Sequence, residues 1–531
     1  MDVSRKCLFY VMQMKRDSSR SSYEDDGQPT RSVPVCVPVT KDDGAAWLQV
    51  QKATREVSHV PILSDWGLDL LKQGVGHIAK TVLVEPSYVC KDHCDLVSHY
   101  YSRKFNPNSG ICSRLHFFSR HFGGLTDIVC ADPNELGYMG YSVVRPVPHR
   151  CIGRTMIDPS LLDIGYQQDL FCLSAETCVH LGGLPLRTRG YPYMSQDNEA
   201  MVCAHAALWG VCRYYSERFK IYAELHPYDL INLTTAQEGR ACPRHGMVYQ
   251  DYSKILSDFG TYPVIVRLKN GPWDKNPQNP TAWRNLCAYV ESGFPVLASL
   301  ASPKADSGHV VAVVGHTVDY SLGTPDERGI INHTDFFREL VVVDDNAFPY
   351  QRLGKMGAPD NYGDTFTDAP FGRESIHTAV CPLPEKVFLT AEVIRPLMEG
   401  YLSKIWPEVQ KTGEGPWVKR LFLATCHSFQ AHQLKSAKAR ALSYSDNLDF
   451  ILTLTRLPHF VWGLQVGPKS LYVNKHMCTT EIVVDATSGP YDPDAVLYAR
   501  IGNSLLFPNG KSYTVAHANP EFPLFRHNLG R

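Results

Sequence analysis

Residues 200–212 carry no acidic or basic side chain apart from His205, and Met201, Ala204, Leu208, Val211, Tyr215 and Phe219 recur at helical spacing. That pattern predicts a buried helix. A second strip of the same helix, Cys203, Ala206, Ala207 and Gly210, is built of small side chains, so another element can press close against it. Downstream, the apolar runs 294–300, 308–315 and 340–346 predict three strands. His309 stands at the start of the second, and the third ends in Asp344 and Asp345 before a Phe348-Pro349-Tyr350 turn.

The flanks have patterns of their own. Residues 13–45 are rich in Ser, Arg, Asp, Gly and Pro, which predicts a solvated, flexible segment over 1–45. Residues 46–160 hold strand patterns at 79–84, 114–119 and 137–145 around one helix at 92–102, as a small α/β domain would. Tyr138-Met-Gly-Tyr-Ser-Val-Val-Arg-Pro146 alternates and stops at a proline, the mark of an edge or terminal strand. After a central domain at 161–385, residues 386–531 read as a helix at 390–402 followed by strands at 420–425, 450–455, 460–466 and 481–485. The expected class is α+β, with a β-rich C-terminal domain.

Composition narrows the function classes. Across 531 residues the chain is 44% hydrophobic and 20% charged, with a formal net charge of −1. No overall basic field favours nucleic acid or an anionic membrane, so neither is expected as a partner. The apolar runs fall well short of the roughly 20 residues that a membrane-spanning helix needs. Residues 1–20 mix basic and polar positions with one short apolar patch and no small-residue cleavage site, which makes a cytoplasmic protein the expectation.

The 16 cysteines are scattered through apolar contexts, as buried thiols in a reducing compartment would be. Cys90, Cys94, Cys112 and His116 have a spacing that would suit tetrahedral zinc, against the plainer reading of helix and sheet core. Gly510-Lys511-Ser512 lacks the upstream glycine of a phosphate loop. No cofactor is expected.

Cys203 carries the sharpest chemistry. Ser195, Asp197 and Asn198 are candidate caps for the helix, which would put the cysteine within its first turn. There the free N–H groups and the helix dipole favour the nucleophilic thiolate. A nucleophile needs a base and a group to orient that base, and His309 and Asp345 follow in that order. His316 and Asp344 are the alternatives for those two roles. Cys212, nine residues past Cys203, belongs to the core.

Gln196 with Cys203-Ala-His-Ala-Ala-Leu, Gly308-His-Val-Val-Ala-Val-Val-Gly and Val343-Asp-Asp-Asn resemble the three blocks of the papain-like cysteine peptidase superfamily. The nearest likeness is to bacterial double-glycine leader peptidases and their stand-alone relatives. It spans roughly residues 185–385. The resemblance implies a papain-like domain in which Cys203 is the nucleophile, His309 the general base and Asp345 the orienting group. It also implies that Gln196 supports the oxyanion. In that family the glutamine usually precedes the cysteine by six residues, whereas here it does so by seven; Gly-Pro usually follows, where this chain has Ala204-His205. A looped-out residue among Asp197, Asn198 and Glu199 would absorb the difference. Gly140-Tyr-Ser-Val-Val-Arg-Pro and Glu481-Ile-Val-Val-Asp-Ala-Thr resemble segments of uncharacterised bacterial proteins.

The expected activity is thiol-dependent hydrolysis of peptide or isopeptide bonds in a peptide or protein substrate. A further protein partner could dock on the N- or C-terminal domain. Two rivals remain open: acyl transfer of the transglutaminase type with the same triad, and a papain-like module that binds a peptide without cleaving it.

Overall fold

The structure, a computed structural model, describes residues 33–57, 60–105, 108–148, 150–162, 170–233, 246–272, 274–301, 308–355, 371–438, 456–490, 492, 494–514 and 520–526. Helix and strand occur in similar shares, which makes the chain α+β. It divides into two compact units. The first holds the described residues of 1–167, 174–255 and 343–351, and the second those of 168–173, 256–342 and 352–531. The grouping differs from the expected segments 46–160, 161–385 and 386–531, because the helix that carries Cys203 groups with the N-terminal sheet.

The first unit is built on a five-stranded antiparallel sheet of β1 (Val35–Pro38), β4 (Thr81–Val89), β5 (Ile111–Phe118), β6 (Tyr138–Val144) and β7 (Ile152–Ile157), in that order. The short pair β2 (Glu56–Val57) and β3 (Val60–Pro61) lies apart from it. Two expectations change here. Val35–Pro38 pairs along β4, so the flexible segment expected over 1–45 does not extend that far. Moreover β6 is an inner strand with neighbours on both sides, and β7 takes the edge. The proline that suggested an edge comes after β6 has ended, so it costs the ladder nothing. At Gly140 a Cβ would fall 2.0 Å from the Met156 carbonyl, so the close approach of β6 to β7 requires glycine.

Helices α1 (Gly44–Ala53) and α2 (Asp65–Val75) start at the side-chain caps Asp43 and Ser64. After α3 (Lys91–His99) and α4 (Leu125–Cys130), the chain forms a hairpin beyond β8 (Leu170–Cys172), of β9 (Ala175–Leu181) and β10 (Leu184–Gly190). Leu181 and Leu186 from the hairpin join Leu83, Phe118, Ile128 and Leu136 in one core cluster. Then come α5 (Cys203–Arg218), α6 (Pro227–Leu233) and α7 (Tyr249–Asp258). The small face of α5 does what its composition predicts: a Cβ at Gly210 would lie 3.0 Å from the Pro192 carbonyl and 3.3 Å from the Tyr191 ring.

The second unit has two seven-stranded sheets. One runs β11 (Thr261–Arg267), β17 (Ile376–Pro384), β12 (Val296–Leu300), β13 (His309–Val318), β15 (Phe337–Val343) and β16 (Gln351–Leu353), with β8 also on β13. The other runs β14 (Ile330–Asn332), β18 (Trp417–Thr425), β19 (Phe460–Pro468), β21 (Thr480–Asp485), β22 (Val496–Ile501), β23 (Ser504–Leu506) and β24 (Ser512–Thr514), while β20 (Met477–Cys478) pairs with β25 (Phe522–Pro523). Helices α8 (Pro280–Glu291), α9 (Ala391–Gln410), α10 (Cys426–Lys438) and α11 (Lys469–Lys475) pack on them. The expected helix at 390–402 continues through Pro396 and Pro407 to Gln410. The strand expected at 450–455 lies outside the described residues. Among the described residues no helix is long and apolar enough to cross a membrane.

Candidate functional site

Cys203 is the first residue of α5, and its partial exposure contrasts with the run from Ala204 to Tyr215, which is buried throughout. Val202 precedes it in extended conformation and supplies no side-chain acceptor, while the Val202 N–H is taken by His205 Nδ1 at 3.3 Å, so the sulfur sits on the first turn itself. The expected caps act elsewhere. Asp197 Oδ1 accepts from the N–H groups of Glu199, Ala200 and Met201 at 3.0, 2.9 and 2.9 Å, so it closes the turn before the helix. Ser195 Oγ donates to the Ile152 carbonyl at 2.7 Å. Asn198 takes the left-handed conformation with φ 62°, a reversal that asparagine tolerates better than most residues, within the stretch expected to loop out. Cys212 is fully buried, and burial pushes its thiol well above the ordinary value, as a core cysteine requires.

Gln196 and the acidic segment after β15 meet inside the first unit. The Gln196 side-chain amide donates to Asn346 Oδ1 at 3.4 Å, and Arg150 donates to the same oxygen. The Asn346 N–H donates to Asp344 Oδ1 at 2.9 Å, which turns Asp344 to its own backbone. The Tyr193 hydroxyl donates to the Asp345 carbonyl at 3.3 Å, while burial and the nearby Asp345 charge raise that phenol far above its ordinary value. Tyr350, with φ 70°, pins the segment: its hydroxyl accepts from the Tyr191 N–H and donates to the Ile157 carbonyl, both at 2.8 Å.

His309 belongs to the second unit. It opens β13 opposite Leu300, is buried, and stacks on Phe371 with ring centroids 6.0 Å apart. The strand beside β13 is β15, the one that leads into Asp344 and Asp345. His316, the alternative base, is committed elsewhere. It lies between Phe337 and Phe171, at centroid distances of 3.7 and 5.0 Å, and its Nε2 meets Glu291 Oε2 at 2.5 Å.

Sequence reasoning missed Arg145, which is buried and whose Nη2 donates to the carbonyls of Ser195, Arg150 and Ile152 at 2.8, 3.1 and 3.1 Å. It ties down the loop that carries Gln196. An arginine at the end of an otherwise apolar strand is the signal that could have pointed to it.

The zinc alternative is corrected. Cys112 and His116 lie four residues apart on β5, about 13 Å along the strand. Cys90 and Cys112 share an apolar cluster with Tyr141, Val143 and Met156, while His116 meets the Tyr138 hydroxyl at 3.0 Å and Glu85 at 3.6 Å. Burial raises both thiols, so they are core cysteines. Asp92, Glu224 and His226 do bring ligand atoms together, but guanidinium groups already occupy the carboxylates: Arg154 binds Asp92 at 2.7 Å and Glu224 at 3.1 Å, and Arg213 binds Glu224. This is an ion-pair network.

No protein-family model and no curated protein matches the chain.

Proposed function

We propose that the chain is a thiol-dependent amide hydrolase of papain-like type, with Cys203 as nucleophile, His309 as general base, Asp345 as the orienting carboxylate and Gln196 as oxyanion donor. The observation that carries this reading is Cys203 itself. It is a partly exposed thiol on the first residue of a sixteen-residue helix whose N-cap residue, Val202, offers no side-chain acceptor. A thiolate gains most from the dipole at that position.

In the reaction His309 takes the thiol proton and the sulfur attacks the carbonyl carbon. The oxyanion is held by the Cys203 N–H and by Gln196. Return of the proton to the departing amine leaves a thioester, which water then cleaves. Gln196 has two amide protons and gives one to Asn346, so one remains for the oxyanion.

That engagement with Asn346 also favours a second reading, a peptide-binding module in which Gln196 is structural. One experiment separates the two. An electrophilic thiol probe applied to the whole chain should label Cys203 ahead of the other 15 cysteines, and the His309→Ala variant should lose the preference. Uniform labelling of exposed thiols, with Cys130 and Cys178 ahead of Cys203, would sink the hydrolase.

A further inference from the structure

Within the second unit, α8, the 3-10 turn His333–Phe336, α9, β18 and β19 enclose a cleft lined by Glu291, His333, Thr334, Arg395, Glu399, Lys419 and Arg420 among others. Its charges are unevenly matched. Arg420 Nε binds Glu291 Oε1 at 2.6 Å, and Glu291 Oε2 also meets His316. Glu399 is held by Lys419 and by Arg328, the latter at 3.3 Å. Both carboxylates on the wall are therefore neutralised.

Arg395 is different. Its Nε donates to Asn285 Oδ1 at 2.8 Å, and among the described residues no carboxylate lies in ion-pair contact with it. Its Nη2 has no hydrogen-bond partner. Two more polar atoms of the wall share that condition: the Thr334 hydroxyl, and Nδ1 of His333, a side chain only 7% exposed. A buried guanidinium nitrogen without a partner is costly, and three such atoms on one wall call for a guest.

We propose that this cleft binds a small monovalent anion, a halide or a carboxylate group, held by Arg395 Nη2 and the Thr334 hydroxyl, with His333 Nδ1–H completing the shell. The guanidinium supplies charge. The hydroxyl rotates its proton towards the guest, and a neutral imidazole donates from Nδ1 in one of its two tautomers. A divalent anion is disfavoured, because Glu291 and Glu399 line the same cleft and one arginine is in surplus. The site is independent of Cys203.

The test is the broadening of the chloride-35 resonance by the purified full chain, compared with Arg395→Gln and Thr334→Val. Broadening beyond that of Arg395→Gln is expected in the wild type. Loss of the charged contact should weaken chloride by about tenfold or more, and loss of the hydroxyl by less. Arg395→Lys, which keeps the charge but not the fork, should fall between wild type and Arg395→Gln and guards against a folding failure in the latter. Acetate at constant ionic strength distinguishes the guests: displacement of chloride identifies a carboxylate site, and indifference a halide site, either of which supports the proposal. Equal broadening by wild type, Arg395→Gln and Arg395→Lys, or none by wild type, would leave water as the occupant and overturn it.

Discussion

Each unit buries a carboxylate among arginine and histidine, and the two networks treat their histidines in opposite ways. In the first unit His226 Nδ1 sits 3.1 Å from Asp92, with 28% of its side chain exposed, and the Asp92 hydrogen bond raises its pKa. In the second unit His333 Nε2 sits 3.7 Å from Glu291 and is enclosed; burial drives its pKa down to about 3 although the same carboxylate charge pulls it up. The difference lies in hydration and contact. Water still reaches His226, whose ring lies 3.1 Å from Asp92, whereas His333 is enclosed at 3.7 Å from Glu291; each carboxylate already carries a competing guanidinium, Arg154 on Asp92 and Arg420 on Glu291. A neighbouring carboxylate therefore does not by itself make a histidine cationic.

The strongest challenge to that comparison is to remove the competitor. Arg420→Met leaves Glu291 buried without its guanidinium, and Phe525 and Arg526 lose a donor to their carbonyls. Breaking one partner of a buried pair costs about 3–5 kcal/mol. Urea unfolding should show a loss of that size, and the double variant Arg420→Met with Glu291→Leu should recover part of it, since it leaves no lone charge. A double variant as unstable as the single would mean that packing, and not charge, holds this network.

Asp92→Asn tests the other side with a smaller effect. Asp92 is 1% exposed and serves Arg154, His226 and the Trp209 indole, but Arg154 keeps Glu224 at 3.1 Å. A cost of about 2–3 kcal/mol is expected in the same assay. A cost above that of Arg420→Met would show that the more hydrated network is the more tightly bound.

None of these partners could be paired from the chain alone. Asp92 and His226 are 134 residues apart, and Glu291 and Arg420 are 129 apart. Periodicity reports which face of an element is buried and is silent on which distant elements meet. Where burial alone decides, the reading worked: the apolar run beginning at His309 is β13, the small face of α5 packs closely at Gly210, and Cys203 opens its helix. It erred where local polar chemistry decides. Asp197 looked like the cap of α5, yet its carboxylate serves a turn of its own, with Asn198 left-handed, and the helix starts after Val202, whose N–H is taken by His205 Nδ1. Composition misled at residues 35–38, where Val35-Cys-Val-Pro38 pairs with β4 inside a stretch whose polar neighbours suggested flexibility. The geometry around Gln196 depends on Arg145, Arg150 and Asn346, three residues that hydropathy treats as surface but that the fold buries.

Opposite shifts predict opposite responses to pH, the smallest and most selective of these effects. His333 is protonated in the unfolded chain below about 6.5 but refuses the proton when folded until about 3. Its contribution is therefore intact above 6.5 and is lost as pH falls through that window, by about 1.4 kcal/mol per unit. His226 has the reverse sign: its folded pKa is raised, so its contribution is fully present below 6.5 and is lost as pH rises through the folded value. Asp92, Asp95, Glu224 and Arg154 surround that ring; the carboxyl of Asp92, held low by His226 and Arg154 against its burial, stays ionised throughout this range. Amide hydrogen exchange at pH 5.5 and 7.5, corrected for intrinsic rates, should find the second unit losing protection on acidification; in the first unit the enclosed His93 and His116, whose pKa values burial lowers, act in the same direction and His226 acts against them. His226→Gln should deepen the loss of protection in α3, α6 and β7 on acidification, by under about 1 kcal/mol because the ring is partly solvated, and leave the loss in the second unit untouched. A first-unit acid response that His226→Gln leaves unchanged would mean that Asp92 does not hold a proton on that ring.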